Sequence, residues 1–405
     1  MTGSFGSVRV NERVHWVGAV DWNLRDFHGY STSRGSTYNA YLILADKVTL
    51  IDTVKAPFFD EMMARIRSVI DPSEIDYVIS NHTEMDHSGA LPRTVAAVGP
   101  RKVFCSAMGA KGLPEHFDVG CELTPVRDGE TLSLGDADVT FLETRMLHWP
   151  DSMFTYLNQD KLLFSSDAFG MHLASEERFD DELPAGVLKF EAAKYYANIL
   201  LPYSALVTKL IGKVTELGLE FEMIAPDHGP IWRADPTHPV RWYARWAEQK
   251  PTRKALVVCD TMWHSTERMG RMIVEGLVAG GARATFMSLH GGANNRSDVV
   301  TGLLGAGALI VGSPTLNNGI LPSVADVMTY LKGLKPRNLI GAAFGSYGWS
   351  GESVKQLNAM LEGMGVELVG EGVRSLHVPD EEALSACHVL GTRVAEALAQ
   401  RCATE

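Results

Sequence analysis

The sequence predicts an α/β protein in two halves, a mixed-sheet sandwich followed by a doubly wound parallel sheet. Over residues 41–228, short apolar runs such as AYLIL, DYVIS and DVTFLET alternate with turn clusters, which favours strands joined in hairpins. Farther along, the strand-like runs KALVVCD, RATFMSL, ALIVG and NLIGAAF are each followed by a segment of helical length, which is typical of a parallel sheet. A chain of 405 residues, 45% of them hydrophobic, is long enough for two separate cores.

The segment EQKPTRK, residues 248–254, separates the two halves. It is charged and contains a proline, which is the composition of a linker. We therefore expect a first domain over residues 1–249 and a second over residues 250–405. Periodicity predicts helical structure over residues 58–70 and 188–217 in the first domain, and TERMGRMIVEGLVAGG is the first expected helix of the second.

Charge and hydropathy argue against two classes of partner. The net charge is −12 and no basic stripe is present, so binding to nucleic acid is not expected. A membrane span needs about 18 consecutive apolar residues, and the sequence has no such run. The N-terminal segment has no apolar stretch of signal-peptide type. We therefore expect a cytoplasmic protein that does not enter a membrane.

The cysteines are odd in number, are scattered and form no CxxC pair. They argue against a disulfide framework, a rubredoxin-type iron site and an iron–sulfur cluster. Small apolar residues in a reducing cytosol are their simplest interpretation. The residues concerned are Cys105, Cys121, Cys259, Cys387 and Cys402.

The segment SNHTEMDHSGALP, residues 80–92, is the most informative part of the first half. It carries His82, Glu84, Asp86 and His87 directly after the strand-like run DYVIS. A loop that leaves the end of a strand is a place where several side chains converge on one point. A lone histidine is more often an ordinary core or surface residue, but this concentration of imidazoles and carboxylates predicts a metal site.

Three later segments place one further polar group each after an apolar run. RMLHWPDS contains His148, LLFSSDAFG contains Asp167 and MIAPDHGP contains His228. Each of these residues alone would be a weak indication. Taken in order after the first segment, they complete a set of ligands large enough for two metal ions.

This order resembles that of the metallo-β-lactamase superfamily, in which an HxHxDH motif is followed by His, Asp and His. The resemblance spans about residues 30–240 and implies an αββα sandwich. Glu84 stands where the zinc hydrolases of the superfamily have their second histidine. A carboxylate makes the site harder and more anionic, which suits iron better than zinc. Zinc does not change its oxidation state, so the substitution indicates redox chemistry at a di-iron site.

The resemblance also implies how the ligands divide between the two irons. One iron would be held by His82, Glu84 and His148, and the other by Asp86, His228 and, as a further candidate, His87. Asp167 would bridge the two.

The second half contains three loops that each follow a predicted strand. DTMWHSTERM, residues 260–269, offers Thr261, Ser265 and Thr266 at the start of a helix, a favourable place for a phosphate. Ordinary helix capping would explain these residues equally well. SPTLNNGILP, residues 313–322, and GSYGWSGES, residues 345–353, follow the next two strands. In an open parallel sheet, ligands bind at this edge.

The three loops resemble those of flavodoxin, whose cofactor is FMN. No GxGxxG motif or P-loop lysine is present, so NAD and ATP fit poorly. The FMN-binding candidates are Thr261, Met262, Trp263, His264, Ser265 and Thr266 in the first loop, Pro314, Thr315, Leu316, Asn317, Asn318 and Gly319 in the second, and Ser346, Tyr347, Gly348, Trp349, Ser350 and Gly351 in the third.

A metallo-β-lactamase-like half followed by a flavodoxin-like half resembles the flavodiiron proteins (A-type flavoproteins), especially those of the rubredoxin:oxygen oxidoreductase kind. The resemblance covers essentially the whole chain. It implies an enzyme that takes electrons from rubredoxin or a similar small protein through FMN to a non-haem di-iron site. There it reduces O2 to water, NO to N2O, or both. It further implies a head-to-tail homodimer, alone or as a dimer of dimers, and no rubredoxin domain within the chain.

Two residues match family positions near the metal pocket, His28 in RDFHGY and Tyr196 in KYYANI. Either side chain could donate a hydrogen bond or a proton to reduced oxygen, although an ordinary packed aromatic residue is the competing interpretation.

Two other functions remain open at this point. One is a zinc-dependent hydrolase of metallo-β-lactamase type with an attached flavodoxin-like module, which Glu84 disfavours. The other is an electron carrier that uses FMN alone, which leaves the ligand set without a purpose. The sequence does not decide between O2 and NO as substrate.

Overall fold

The computed structural model describes residues 5–403, which fall into two compact units. The first comprises the chain up to residue 28 and residues 32–195 and 205–244, and the second comprises residues 29–31, 196–204 and the chain from residue 245 onward. The domain boundary near Lys250 stays a prediction.

The strands before residue 230 are β1 (Val8–Arg9), β2 (Val14–Trp16), β3 (Ala19–Asp21), β4 (Asp26–Phe27), β5 (Tyr30–Ser31), β6 (Ser36–Tyr38), β7 (Tyr41–Ile43), β8 (Thr49–Ile51), β9 (Tyr77–Ser80), β10 (Lys102–Ser106), β11 (Leu123–Val126), β12 (Thr131–Ser133), β13 (Asp138–Glu143), β14 (Met153–Leu157), β15 (Leu162–Phe164) and β16 (Met223–Ala225). The helices are α1 (Phe59–Arg67), α2 (Met85–Ser88), α3 (Leu91–Val98), α4 (Gly109–His116), α5 (Ala185–Tyr195), α6 (Ser204–Glu216) and α7 (Thr237–Glu248).

The first unit is a sandwich of two mixed sheets. One sheet has the order β1-β2-β7-β8-β9-β10-β11 and the other the order β12-β13-β14-β15-β16. Apolar side chains from both, such as Ile79 and Phe141, form one fully buried cluster between them, as face-to-face sheets require. Helices α1, α3 and α4 cover the outer face of the first sheet, where Met62, Val95 and Leu113 pack against its strands. The predicted αββα sandwich is confirmed.

The helical segment predicted over residues 188–217 is interrupted. Helix α5 ends at Tyr195 and is followed by a π-helical turn, Tyr196–Leu200, and a 3-10 turn, Leu201–Tyr203, before α6 begins. Pro202 lacks an N–H group and its ring crowds the preceding turn, which kinks or breaks an α-helix at this point.

The strands of the second unit beyond residue 250 are β17 (Lys254–Cys259), β18 (Arg283–Ser288), β19 (Ala308–Gly312), β20 (Ile340–Tyr347), β21 (Glu367–Leu368) and β22 (Val373–Leu376). The helices are α8 (Ser265–Ala279), α9 (Arg296–Leu303), α10 (Pro322–Leu334), α11 (Glu352–Gly363) and α12 (Glu381–Ala403). The sheet has the order β18-β17-β19-β20-β21, with β22 beside β20, and its strand pairs are parallel.

Both faces of this sheet are covered. Ala255 and Val257 of β17 pack with α8 and α12, while Leu256 and Val258, which point to the opposite face, are also fully buried. The strand order is that of the flavodoxin-like doubly wound fold, whose switch point lies between the first and third strands, here β17 and β19. The predicted second fold is confirmed. Among residues 5–403, no helix is long and apolar enough to cross a membrane.

Candidate di-iron centre and flavin site

The predicted metal ligands follow strand ends of the first unit. His82 and Glu84 lie just beyond β9, and Asp86 and His87 lie on the short helix α2 that follows. Asp167 comes three residues after β15, behind Ser166, whose φ of 49° is unusual for a side chain with a Cβ. His148 follows β13, and His228 follows β16. The structure brings all seven side chains together in two groups.

The first group consists of His82, Glu84, His148 and Asp167. Glu84 Oε2 lies 3.3 Å from His82 Nε2 and 3.2 Å from His148 Nε2. Asp167 Oδ2 lies 3.4 Å from His82 Nε2 and 3.0 Å from His148 Nε2. Two imidazole nitrogens and two carboxylate oxygens therefore face one common point.

The second group consists of Asp86, His87 and His228. His228 Nε2 lies 3.2 Å from Asp86 Oδ2, and His87 Nε2 lies 3.3 Å from Asp86 Oδ1. The other oxygen of Asp167, Oδ1, faces this group at 3.1 Å from His87 Nε2 and 3.5 Å from His228 Nε2. Asp167 thus presents one oxygen to each group, as a bridging ligand does, and His87 lies among the second group's ligand atoms.

The pKa shifts of the ligand side chains show that carboxylates and imidazoles interact strongly at this site. Burial raises the pKa of the Asp167 carboxyl, but His87 and His148 outweigh this effect and hold that pKa well below its usual range. Burial lowers the pKa of the His148 imidazole, yet Asp167 and Glu84 raise it to about 9. Each carboxylate favours positive charge beside it, which is the environment that a cation requires.

The residues fit a pair of metal ions. Both side-chain oxygens of Asp86, Asp167 Oδ1 and both ring nitrogens of His87 are buried and have no hydrogen-bond partner among the described residues. Leaving such groups unsatisfied is costly, and coordination to metal ions would satisfy Asp86, Asp167 and one nitrogen of His87. Mixed imidazole and carboxylate ligands suit iron.

His28 lies beside the first group. Its Nε2 is 3.3 Å from Glu84 Oε1, the carboxylate oxygen that does not face the histidines. The Tyr196 hydroxyl is bonded to Ser204 Oγ at 3.0 Å, and its ring packs on Trp246. Of the two adjacent tyrosines, Tyr195 is the one beside the metal groups, with its ring 6.1 Å from that of His228. The Tyr38 ring lies on the same histidine at 5.9 Å. The roles of His28 and Tyr196 stay predictions, and the contacts favour Tyr195 over Tyr196.

Sequence reasoning missed the groups that hold the ligand rings in place. His228 Nδ1 lies 2.6 Å from the Thr37 carbonyl oxygen, so this nitrogen donates and Nε2 is left for the metal. The His172 ring packs at a tilt against that of His228, with centroids 4.7 Å apart, and His172 Nδ1 lies 2.8 Å from Ser36 Oγ. Asp151 contacts His82. The sequence gives no spacing signal for these contacts, because they join residues far apart in the chain.

The second unit contains a cavity of about 790 Å³ at the carboxyl ends of β17, β19 and β20. The three predicted loops line it together with His377 and Val378. Thr261, His264, Thr266, Gly319 and Gly351 lie in these loops but are not among the residues that line it. Its size is in the range of cofactor sites, and its position is the switch point at which this fold binds FMN.

Two observations fit a flavin. Thr261 belongs to the first loop but not to the cavity lining. Its side chain is 4% exposed and its hydroxyl has no hydrogen-bond partner among the described residues, next to the N-terminus of α8, where a phosphate is favoured. Trp263 and Trp349 are 88% and 93% exposed at the cavity, which leaves aromatic surface for a flat ring.

His377 and Val378 were missed in the sequence. They follow β22, whose partner strand β20 leads into the third loop, and His377 N–H donates to the Tyr347 carbonyl oxygen at 2.7 Å. Strand β22 is too short to be recognised from apolar periodicity.

Comparison with known proteins agrees with this architecture. Residues 37–229 match the ODP family beta lactamase, and residues 257–389 match the flavodoxin family. The chain therefore combines a lactamase-like and a flavodoxin domain, and it belongs to the flavodiiron proteins.

Three similar proteins support this membership. A nitric oxide reductase of Moorella thermoacetica is 46% identical over 97% of this chain and 99% of its own length. The structure of rubredoxin oxygen:oxidoreductase from Desulfovibrio gigas is 45% identical, with a TM-score of 0.95 over 98% of this chain and 100% of that one. The flavodiiron protein of Giardia intestinalis is 31% identical, with a TM-score of 0.95 over 100% of this chain and 99% of that one. This chain is accordingly an oxidoreductase whose cofactors are FMN and a non-haem di-iron centre.

Proposed function

We propose that this enzyme takes electrons from a rubredoxin-type donor through FMN to the di-iron centre, where O2 is reduced to water, NO to N2O, or both. The observation that carries the proposal is the arrangement at Asp167. Its Oδ2 faces the first ligand group, which includes Glu84, and its Oδ1 faces the second group, which includes His87. The nitric oxide reductase and rubredoxin-oxygen oxidoreductase among its relatives support the same chemistry.

The side chains would hold the cofactors, and the cofactors would supply the redox chemistry. FMN and the iron pair supply one-electron and two-electron chemistry that no side chain can perform. His82, Glu84 and His148 would hold one iron, and Asp86, His87 and His228 the other, with Asp167 between them. With so few protein ligands, each iron would keep the capacity to bind a diatomic substrate. Zinc held by the same residues could not exchange electrons.

Two side chains next to the ligands are candidates for proton transfer to reduced oxygen. His28 Nε2 contacts the Glu84 oxygen that faces away from the histidines. Burial and the nearby carboxylates raise the pKa of the Tyr195 hydroxyl well above its usual value, so Tyr195 remains a hydrogen-bond donor at neutral pH. We propose these two residues as donors to the bound substrate.

We propose a head-to-tail homodimer, alone or as a dimer of dimers, in which the flavin site of one subunit faces the metal site of the other. The support is the exposed apolar surface at the flavin cavity, which includes Met262, Trp263, Trp349 and Val378. Clustered exposed apolar residues of this kind mark interaction sites. Sedimentation should show a dimer, and turnover should fall when dilution dissociates it. Full turnover by isolated monomers would rule out this arrangement.

Two other functions are less well supported. A zinc hydrolase requires a redox-silent ion in a site that has Glu84 in place of a histidine. An electron carrier that uses FMN alone gives the seven candidate ligands no role, although their ligand atoms lie within 4.8 Å of one another in each of the two groups. A cytoplasmic location stays a prediction of the sequence.

The experiment that tests the proposal measures substrate consumption by the holoprotein. Protein loaded with FMN and iron is reduced anaerobically by reduced rubredoxin, and O2 and NO consumption are followed separately. We expect at least one gas to be consumed with continued oxidation of the donor. A His228→Ala control should still accept electrons at the flavin but should consume no NO, and any O2 that its reduced flavin consumes should appear as H2O2 rather than water. Consumption of neither gas by the wild-type holoprotein would contradict the proposal.

A further inference from the structure

The ring of His82 is fixed by a buried carboxylate. Its Nδ1 lies 3.1 Å from Asp151 Oδ2, so this nitrogen donates to the carboxylate and Nε2 is directed toward Glu84 and Asp167. A histidine in this arrangement is held in one tautomer and one orientation, and the negative charge makes it a stronger metal ligand.

Asp151 is itself rigidly held. The Thr83 N–H donates to the same oxygen, Oδ2, at 2.6 Å, and the Ser106 hydroxyl at the end of β10 donates to the Asp151 backbone carbonyl at 2.7 Å. Asp151 is 4% exposed. Asp151 lies three residues after His148. The same loop therefore carries one ligand of the first group, His148, and the residue that fixes the ring of another ligand, His82.

Within residues 5–403, the second metal group has no equivalent support from a carboxylate at hydrogen-bond distance. His228 Nδ1 faces the neutral Thr37 carbonyl at 2.6 Å. His87 Nδ1 has no hydrogen-bond partner among the described residues, and the nearest carboxylate oxygen, on Asp227, lies 3.7 Å away. The two halves of the centre therefore differ in the hydrogen bonding behind their histidines, because a carboxylate accepts a hydrogen bond from His82 but not from His87 or His228.

We propose that Asp151 is a positioning residue for one iron only, the iron held by His82, Glu84 and His148. This inference rests on the proposed di-iron site. Removal of a support of this kind weakens metal binding by about 10- to 100-fold, and we expect that loss at the first group while the second group keeps its iron.

Two variants separate the charge from the hydrogen bonds. In Asp151→Asn, the remaining amide oxygen can accept both bonds that Oδ2 accepts now, so only the charge is lost. In Asp151→Ala, both are lost, and the weakening should be larger. Asp180→Asn is the matched control, because Asp180 is also buried and accepts backbone N–H bonds, from Arg233 at 2.9 Å and Ala234 at 3.2 Å.

The test measures iron per chain during anaerobic titration with a chelator, together with the Mössbauer spectrum of ⁵⁷Fe-loaded protein. We expect one of two irons to leave Asp151→Asn and Asp151→Ala more readily, with one spectral component altered and the other kept. The control should retain both. Equal loss of both irons, or wild-type affinity and spectra in Asp151→Ala, would overturn the inference. Wild-type protein that binds no iron would instead overturn the proposed function.

Discussion

Replacement of Thr261 with valine should weaken FMN binding while leaving the flavin-free protein at least as stable. The Thr261 hydroxyl is buried without a hydrogen-bond partner among the described residues, although the Thr261 N–H donates to Asp260 Oδ1 at 2.7 Å. The flavin-free protein therefore carries an unsatisfied polar group, and we expect the FMN phosphate to satisfy it. Valine has nearly the same shape and removes only the hydroxyl.

The magnitude follows from the chemistry of that hydroxyl. A hydrogen bond to a charged group contributes about 1.5–3 kcal/mol, which corresponds to a roughly 10- to 100-fold weaker FMN affinity. A buried hydroxyl without a partner costs about 1–3 kcal/mol, so its removal should be neutral or should raise the free energy of unfolding of the flavin-free protein. The substitution should therefore lower the affinity for FMN without lowering the stability of the flavin-free protein.

The assay titrates FMN into flavin-free protein and follows the quenching of flavin fluorescence, alongside denaturant unfolding without FMN. Thr392→Val is the matched control, because the Thr392 hydroxyl donates to the His388 carbonyl oxygen at 3.2 Å, outside the cavity. The control should lose about 1 kcal/mol of stability and keep its FMN affinity. Wild-type affinity in Thr261→Val, or a clear loss of its stability without FMN, would refute the reasoning.

Other predictions concern packing, thiols and metal choice. A Cβ on Gly276 would lie 2.0 Å from the His388 carbonyl oxygen, so Gly276→Ala should lower the unfolding free energy by about 3 kcal/mol. Gly333 lies on open helix surface, so Gly333→Ala should raise the unfolding free energy by about 0.5 kcal/mol. Burial raises the pKa of the Cys105 thiol to about 12. At pH 8, iodoacetamide should therefore modify the exposed Cys121 before Cys105. Equal rates of modification of the two thiols, measured by mass spectrometry, would contradict this prediction. Glu84→His should bind zinc in preference to iron in metal competition; an unchanged preference would show that Glu84 does not select the metal.

The metal groups were predictable because their signal is local. His82, Glu84, Asp86 and His87 are close in sequence, and a strand that ends in a loop fixes where they point. Neighbouring strand ends meet at one edge of a sheet. The position of His148, Asp167 and His228 after apolar runs was therefore enough to add them to the predicted set of metal ligands. The three flavin loops follow from the same rule in the parallel sheet.

The remaining features depend on contacts between distant segments. Tyr195 and Tyr196 are adjacent and chemically alike, but successive residues of a helix point about 100° apart, so one ring reaches His228 and the other does not. The sequence does not show which of the two faces the site. Asp151 is distant from His82 in sequence, and no periodicity links the two. His377 follows a short strand whose place beside β20 is set by the sheet rather than by its own residues.

The number of electrons that each chain accepts tests the central claim most directly. Protein loaded with FMN and metal is titrated anaerobically with a reductant of known potential, and uptake is followed by flavin absorbance and by the Mössbauer spectrum. We predict about four electrons per chain, two at the flavin and one at each iron. Uptake of about two electrons, all at the flavin, with the metal spectrum unchanged, would contradict a redox-active pair of irons held by these seven residues.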